Sequence, residues 1–158
     1  MKRALWLSAG TAVALVSACG GGRATELRTA DYPVGTRWNA TLATPASMVG
    51  VAQIGGNAWM APGGSPEETR VEIAIENAVP GGRHPWHVHL GQCGDDRGIL
   101  GPADRYGVLQ VGGNGKASRS VTLPIATPTA GQYLVSVHAS PENLRTVIAC
   151  GNLSPPVR

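Results

Sequence analysis

The chain has 158 residues, with 13 Lys+Arg against 10 Asp+Glu, four histidines, three cysteines and no phenylalanine. Setting aside Lys2 and Arg3, which open an apolar leader, leaves 11 basic residues (13 minus 2) against 10 acidic ones, so the remainder is nearly neutral. Its arginines are scattered and Lys116 is its one lysine, which excludes a basic nucleic-acid surface.

Residues 1–18 are expected to be a lipoprotein signal peptide. A basic start is followed by an apolar run from Ala4 to Val16, too short for a comfortable membrane span, and then by the small residues Val16-Ser17-Ala18 before Cys19. That end resembles a bacterial lipobox, in which cleavage leaves a lipidated N-terminal cysteine, so Cys19 is the expected lipidation site. Ordinary cleavage near Ala18 is the alternative. Residues 19–36 read as the lipidated cysteine and a flexible linker, because Gly20-Gly21-Gly22-Arg23 suits a membrane leash. Gly20, in the place of an aspartate, is similar to the outer-membrane sorting pattern of Gram-negative lipoproteins. The expected location is therefore the cell envelope of such a bacterium, with a lipid anchor as the sole membrane contact.

Residues 37–154 read as one all-β domain, an antiparallel Greek-key sandwich or barrel of about eight short strands, and residues 155–158 as a tail. Strand-like runs occur at Trp38–Leu42, Val49–Ile54, Asn57–Met60, Arg70–Glu76, Gly107–Val111, Ser118–Leu123, Gln132–His138 and Val147–Cys150. The clearest is Arg70–Glu76, where Val71, Ile73 and Ile75 alternate with outward residues. Residues 61–69 read as a surface loop. Turn signals stand at Pro80-Gly81-Gly82, Gly112-Gly113-Asn114-Gly115 and Thr129-Ala130-Gly131. The second of these lacks the helix and Lys-Ser/Thr of a phosphate loop and reads as a hairpin turn.

With Cys19 assigned to lipid, Cys93 and Cys150 are an even pair in an oxidising compartment. A disulfide between them is expected, worth roughly 4 kcal/mol in the chain-entropy model. The alternative is that the two thiolates are copper or zinc ligands.

Three histidines fall within six residues, His84-Pro85-Trp86-His87-Val88-His89. In an extended strand His87 and His89 project from one face, making half a metal site. His138 ends a second strand-like run. If the two strands are neighbours, three imidazoles converge.

Together these segments resemble the copper–zinc superoxide dismutase family. Its pattern is an alternating strand, a Pro-Gly turn, His-Gly-Phe-His-(Val/Ile)-His, a cysteine soon after, and near the end a copper-ligand histidine and Ala-Cys-Gly. Here the run Val71–Pro80-Gly81, His84-Pro85-Trp86-His87-Val88-His89, Cys93, His138 and Ala149-Cys150-Gly151 follows that order. The likeness covers Val71 to Leu153, with Asn114–Ala117 matching a turn before a central strand. It implies one copper ion held by His87, His89 and His138, a structural His84 bonded to backbone beside the site, and a Cys93–Cys150 disulfide.

The departures from the pattern are specific. Cys93 to Val111 contains no histidine, so the bridging histidine, the remaining zinc ligands and the fourth copper ligand have no counterpart, and no zinc is expected. Asp95, Asp96 and Asp104 in that stretch read as solvated turn residues. Val147 stands where the family has its catalytic arginine. Arg145, two residues earlier, shares a strand face with that position and is the candidate catalytic residue, with an exposed loop arginine as the other reading. Only eleven residues (139–149) separate His138 from Cys150, too few for the family's charged guiding loop.

Three functions are open on these residues. One is a copper-only superoxide dismutase-like enzyme acting on superoxide. Another is an exported lipoprotein that buffers, delivers or senses copper with a copper-exchanging partner and no turnover. The third is a metal-free interaction module, for which chordin-type domains offer a weaker resemblance.

Overall fold

The computed structural model describes residues 36–156. The expected leader, Cys19 and the linker up to residue 35 lie outside the described residues. Nine strands form one curled antiparallel sheet: β1 (Trp38–Ala43), β2 (Gly55–Pro62), β3 (Thr69–Glu76), β4 (Arg83–Gln92), β5 (Asp95–Ile99), β6 (Val108–Gln110), β7 (Ala117–Leu123), β8 (Tyr133–Ser140) and β9 (Asn143–Leu153). The spatial order is β5-β4-β8-β9-β1-β2-β3-β7, with β6 paired to the start of β4. Strand β6 also contacts β7, where Arg119 reaches the Val108 carbonyl, so the sheet curls toward closure. This bears out the expected all-β barrel-like architecture. Among the described residues there is no α-helix, and no helix long and apolar enough to cross a membrane.

Alternation in the sequence explains most of the strands. Val71, Ile73 and Ile75 of β3 are all but inaccessible, and their partners across β2 include Met60 and Ala58. The core continues through Trp38, Trp86, Val88, Tyr106, Leu109, Leu123, Val135 and Val137. Trp38 and Trp86 each meet a tyrosine edge to face, Tyr133 at 5.3 Å and Tyr106 at 5.2 Å.

The structure corrects three sequence readings. Residues 61–69 are a surface loop only in part, because Ala61 and Pro62 extend β2 and Thr69 opens β3, with Ala61 and Thr69 fully buried. Val49–Ile54 is no strand: a 3-10 turn over Ala46–Met48 leads into an irregular segment in which Val49 and Val51 are 69 % and 79 % exposed. Gly50 there has φ +93°, which breaks the extended path, and of the expected apolar face only Ile54 reaches the core. Conversely, the stretch after Cys93 contains a strand. Cys93 and Gly94 (φ +92°) make a tight turn, Gln92 pairs with Asp95, and β5 returns along β4. The Gly112–Gly115 turn does close on itself as expected, with the Gly115 amide donating to the Gly112 carbonyl.

Candidate metal centre

The site lies on the face of β4 and β8 opposite the core. Trp86 and Val88 of β4, and Tyr133, Val135 and Val137 of β8, pack inward. The intervening residues His87, His89, Leu134, Ser136 and His138 are buried on the other face. Register sets the approach: His87 pairs with Ser136 and His89 with Leu134, which leaves His138 diagonal to His87. A β-bulge in the β8–β9 pairing at His138 re-aims this residue, since Val137 pairs with Ala149 but His138 with Val147.

One ring nitrogen from each of His87, His89 and His138 lies within 4.8 Å of the others, and all three residues are buried. His87 Nδ1 is 3.2 Å from His138 Nε2. At metal–nitrogen lengths of about 2.0–2.1 Å, nitrogens with that separation subtend an angle of about 100° at a shared ion, near tetrahedral. His89 completes the set differently. Its Nδ1 donates to Asp96 Oδ1 at 2.8 Å, and its Nε2 is buried without a hydrogen-bond partner. An orphaned buried nitrogen on a ring held from behind by a carboxylate is the arrangement of metal-ligating histidines. The residues therefore fit a metal ion, and three imidazoles suit several first-row transition metals.

The charge state agrees. Burial and the neighbouring His138 and His89 push His87 down to about 4, against a smaller opposing pull from Asp96. His138 is lowered too, by burial first and then by His89, although the Leu144 backbone and Asp96 oppose this. The Leu144 carbonyl falls short of hydrogen-bond geometry, so His138 Nδ1 has no partner. Both imidazoles are neutral at pH 7, with lone pairs to offer.

His84 lies close by in a different role. Its Nδ1 donates to the carbonyls of His138 (3.1 Å) and Ala139 (3.0 Å), tying β4 to the bulged end of β8. Cys93 and Cys150 form a disulfide with Cα atoms 6.0 Å apart, so neither is a thiolate ligand. A cleft of about 940 Å³ is lined by His138, Ser136, Asp96, Met48, the disulfide and Arg145. Arg145 is an exposed residue of β9, not of a loop, and Val147 shares the cleft wall with it.

The residue that sequence reasoning missed is Asp96. Read as a solvated turn residue, it bonds His89 Nδ1 and the Gly98 amide, each at 2.8 Å. Burial raises its carboxyl, but the Gly98 amide and His89 outweigh that and hold it below its ordinary value. The available signal was the Cys93-Gly94 turn, which returns the chain along β4 and carries Asp96 back beside Gly91. Asp95 pairs instead with Arg97, and Asp104 is exposed on a 3-10 turn over Ala103–Arg105. The chain matches no protein-family profile and none of the curated proteins; what the centre can do is read from its own geometry.

Proposed function

We propose that this chain is an exported, lipid-anchored copper protein of the superoxide dismutase-like type, holding one copper ion through His87, His89 and His138 and no zinc. The observation that carries the reading is the buried triad of converging nitrogens, with His89 Nε2 left unpartnered. Support also comes from the order of the histidine and cysteine motifs and from the Cys93–Cys150 disulfide, which fits an oxidising compartment. Imidazole ligands serve copper in both its oxidation states, and three of them leave a position open to a small molecule.

The reaction that suits such a centre is dismutation, in which two superoxide ions and two protons give oxygen and hydrogen peroxide. Bound copper would supply the one-electron redox chemistry. His87, His89 and His138 bind, Asp96 orients His89, and His84 holds the strand end that carries His138. Arg145 is the one lysine or arginine lining the cleft and has no ion-pair partner among the described residues, so it attracts an anion. Both protons come from water entering the cleft, because His87 and His138 are held neutral and no fifth histidine exists.

A second reading, copper storage or transfer without turnover, is favoured by the single arginine and the near-neutral body, which steer anions weakly. Copper(II) titration of the full chain with electron paramagnetic resonance tests both. One equivalent with a nitrogen-rich signal, lost in His138→Ala, is expected. Rapid superoxide decay by the loaded protein then selects the enzyme, and tight binding without decay selects copper handling. No stoichiometric uptake would leave the metal-free module.

A further inference from the structure

Ser136 is a buried hydroxyl at the centre of the metal face that neither the ligand set nor the sequence motifs explain. It is 3 % exposed, stands directly across β4–β8 from His87, and lines the same cleft as His138. Its Oγ lies 3.1 Å from His138 Nε2 and has no other hydrogen-bond partner among the described residues. That same nitrogen is 3.2 Å from His87 Nδ1. A neutral imidazole nitrogen offers one lone pair or one proton, so Nε2 has two polar neighbours and can satisfy one of them.

A metal ion at the triad resolves this crowding. It takes the lone pair of His138 Nε2, and the Ser136 hydroxyl then has nothing to donate to on the protein. The hydroxyl then faces the cleft, where its acceptor is either water or a small molecule bound beside the metal. Of these two, an anion would be the stronger acceptor, because a charged oxygen or nitrogen takes a shorter and stronger hydrogen bond than water does.

We propose that Ser136 is a specificity-determining residue of this centre, whose hydroxyl donates a hydrogen bond to a small anion held at the metal in the cleft. The inference rests on reading the three histidines as a metal centre. Hydrogen bonds to charged acceptors are stronger than neutral ones, so Ser136 favours anions with an exposed lone pair over neutral ligands of the same size. Buried where Arg145 is exposed, Ser136 supplies the cleft with a donor held in place by the sheet.

The test uses the copper-loaded full chain and azide as the probe anion, titrated by the azide-to-copper charge-transfer band. Ser136→Ala is expected to weaken azide binding about tenfold, the scale of one hydrogen bond to a charged group, while Ser136→Thr keeps it within about threefold of wild type. The azide-free paramagnetic resonance spectrum should be the same in all three proteins. That readout separates loss of a donor from loss of the site. Equal azide affinity in wild type and Ser136→Ala would overturn the proposal. So would an altered azide-free spectrum in Ser136→Ala, because the hydroxyl would then belong to the metal itself. A wild-type protein without the three-nitrogen signal would remove the metal reading, and this inference with it.

Discussion

At the scale of single residues, the centre depends on how each imidazole is held from behind. His89 is fixed by Asp96 through a 2.8 Å bond, and Asp96 is fixed in turn by the Gly98 amide. This pair sets the tautomer: Nδ1 carries the proton, and Nε2 faces the other two histidines bare. His138 lacks such a support and relies on the bulge and on the two carbonyl bonds from His84 to its strand end. Asp96→Ala should therefore lower metal affinity about 10- to 100-fold, the usual effect of removing a carboxylate behind a ligating histidine. Competition against a chelator of known affinity measures it. Affinity within twofold of wild type would show that the geometry of β4 alone holds His89. The variant also strips the acceptor from the buried His89 Nδ1, so urea denaturation of the metal-free variant is read beside it, and a loss of metal affinity with the fold retained separates this effect from misfolding.

At the scale of elements, legibility followed alternation. Val71, Ile73 and Ile75 alternate over a full strand and are core; His87 and His89 obey the same period and share a face. Val49–Ile54 carries a similar pattern, yet Gly50 adopts a positive φ that breaks the extended path, and both valines are exposed. Strand β9 runs well before and beyond Val147–Cys150, since its outer residues show no alternation and pairing with β8 makes them extended. Strand β5 was hidden for the same reason: Asp95, Asp96 and Arg97 have no apolar face, and the tight turn at Gly94 makes the ladder. Gly151 shows what a non-local requirement looks like. A Cβ there would collide with the Thr41 carbonyl oxygen, where β9 crosses β1 between the Ala43–Cys150 pair and the Asn39–Ser154 bridge. Gly151→Ala should cost about 1–3 kcal/mol, the scale of overpacking, and lower the urea midpoint with an unchanged slope. An unchanged midpoint would mean that the β1–β9 seam opens freely to admit a methyl group.

At the scale of the whole molecule, the barrel buries His87 and His138 beside one another, and folding holds both neutral. His87 is the clearest case, pushed from 6.5 to about 4 by burial and by His138 and His89. The sign of the linkage follows. Above pH 6.5 the imidazole is neutral in the folded and unfolded chains alike, and stability is at its full value. Between pH 6.5 and 4 the unfolded chain takes up a proton that the folded chain refuses, so stability falls as pH falls. Below about 4 both states are protonated and this residue adds no further slope. The gap between 6.5 and about 4 sets an upper limit on the order of 3 kcal/mol, reduced where water in the cleft screens the ring, and His138 acts in the same direction. Asp96, with its lowered carboxyl, contributes a further loss below that window, where the unfolded chain protonates the acid before the folded chain does. A metal ion at the triad would sharpen the dependence, because it would bind the folded chain and compete with the same protons. Urea denaturation of chelator-treated protein at pH 7.5, 5.5 and 4 should show the decline, and His87→Gln should flatten most of it. A chain whose stability stays level across that window would mean that water reaches the histidine face freely, and a site so wet would hold the three imidazoles too loosely for tight coordination.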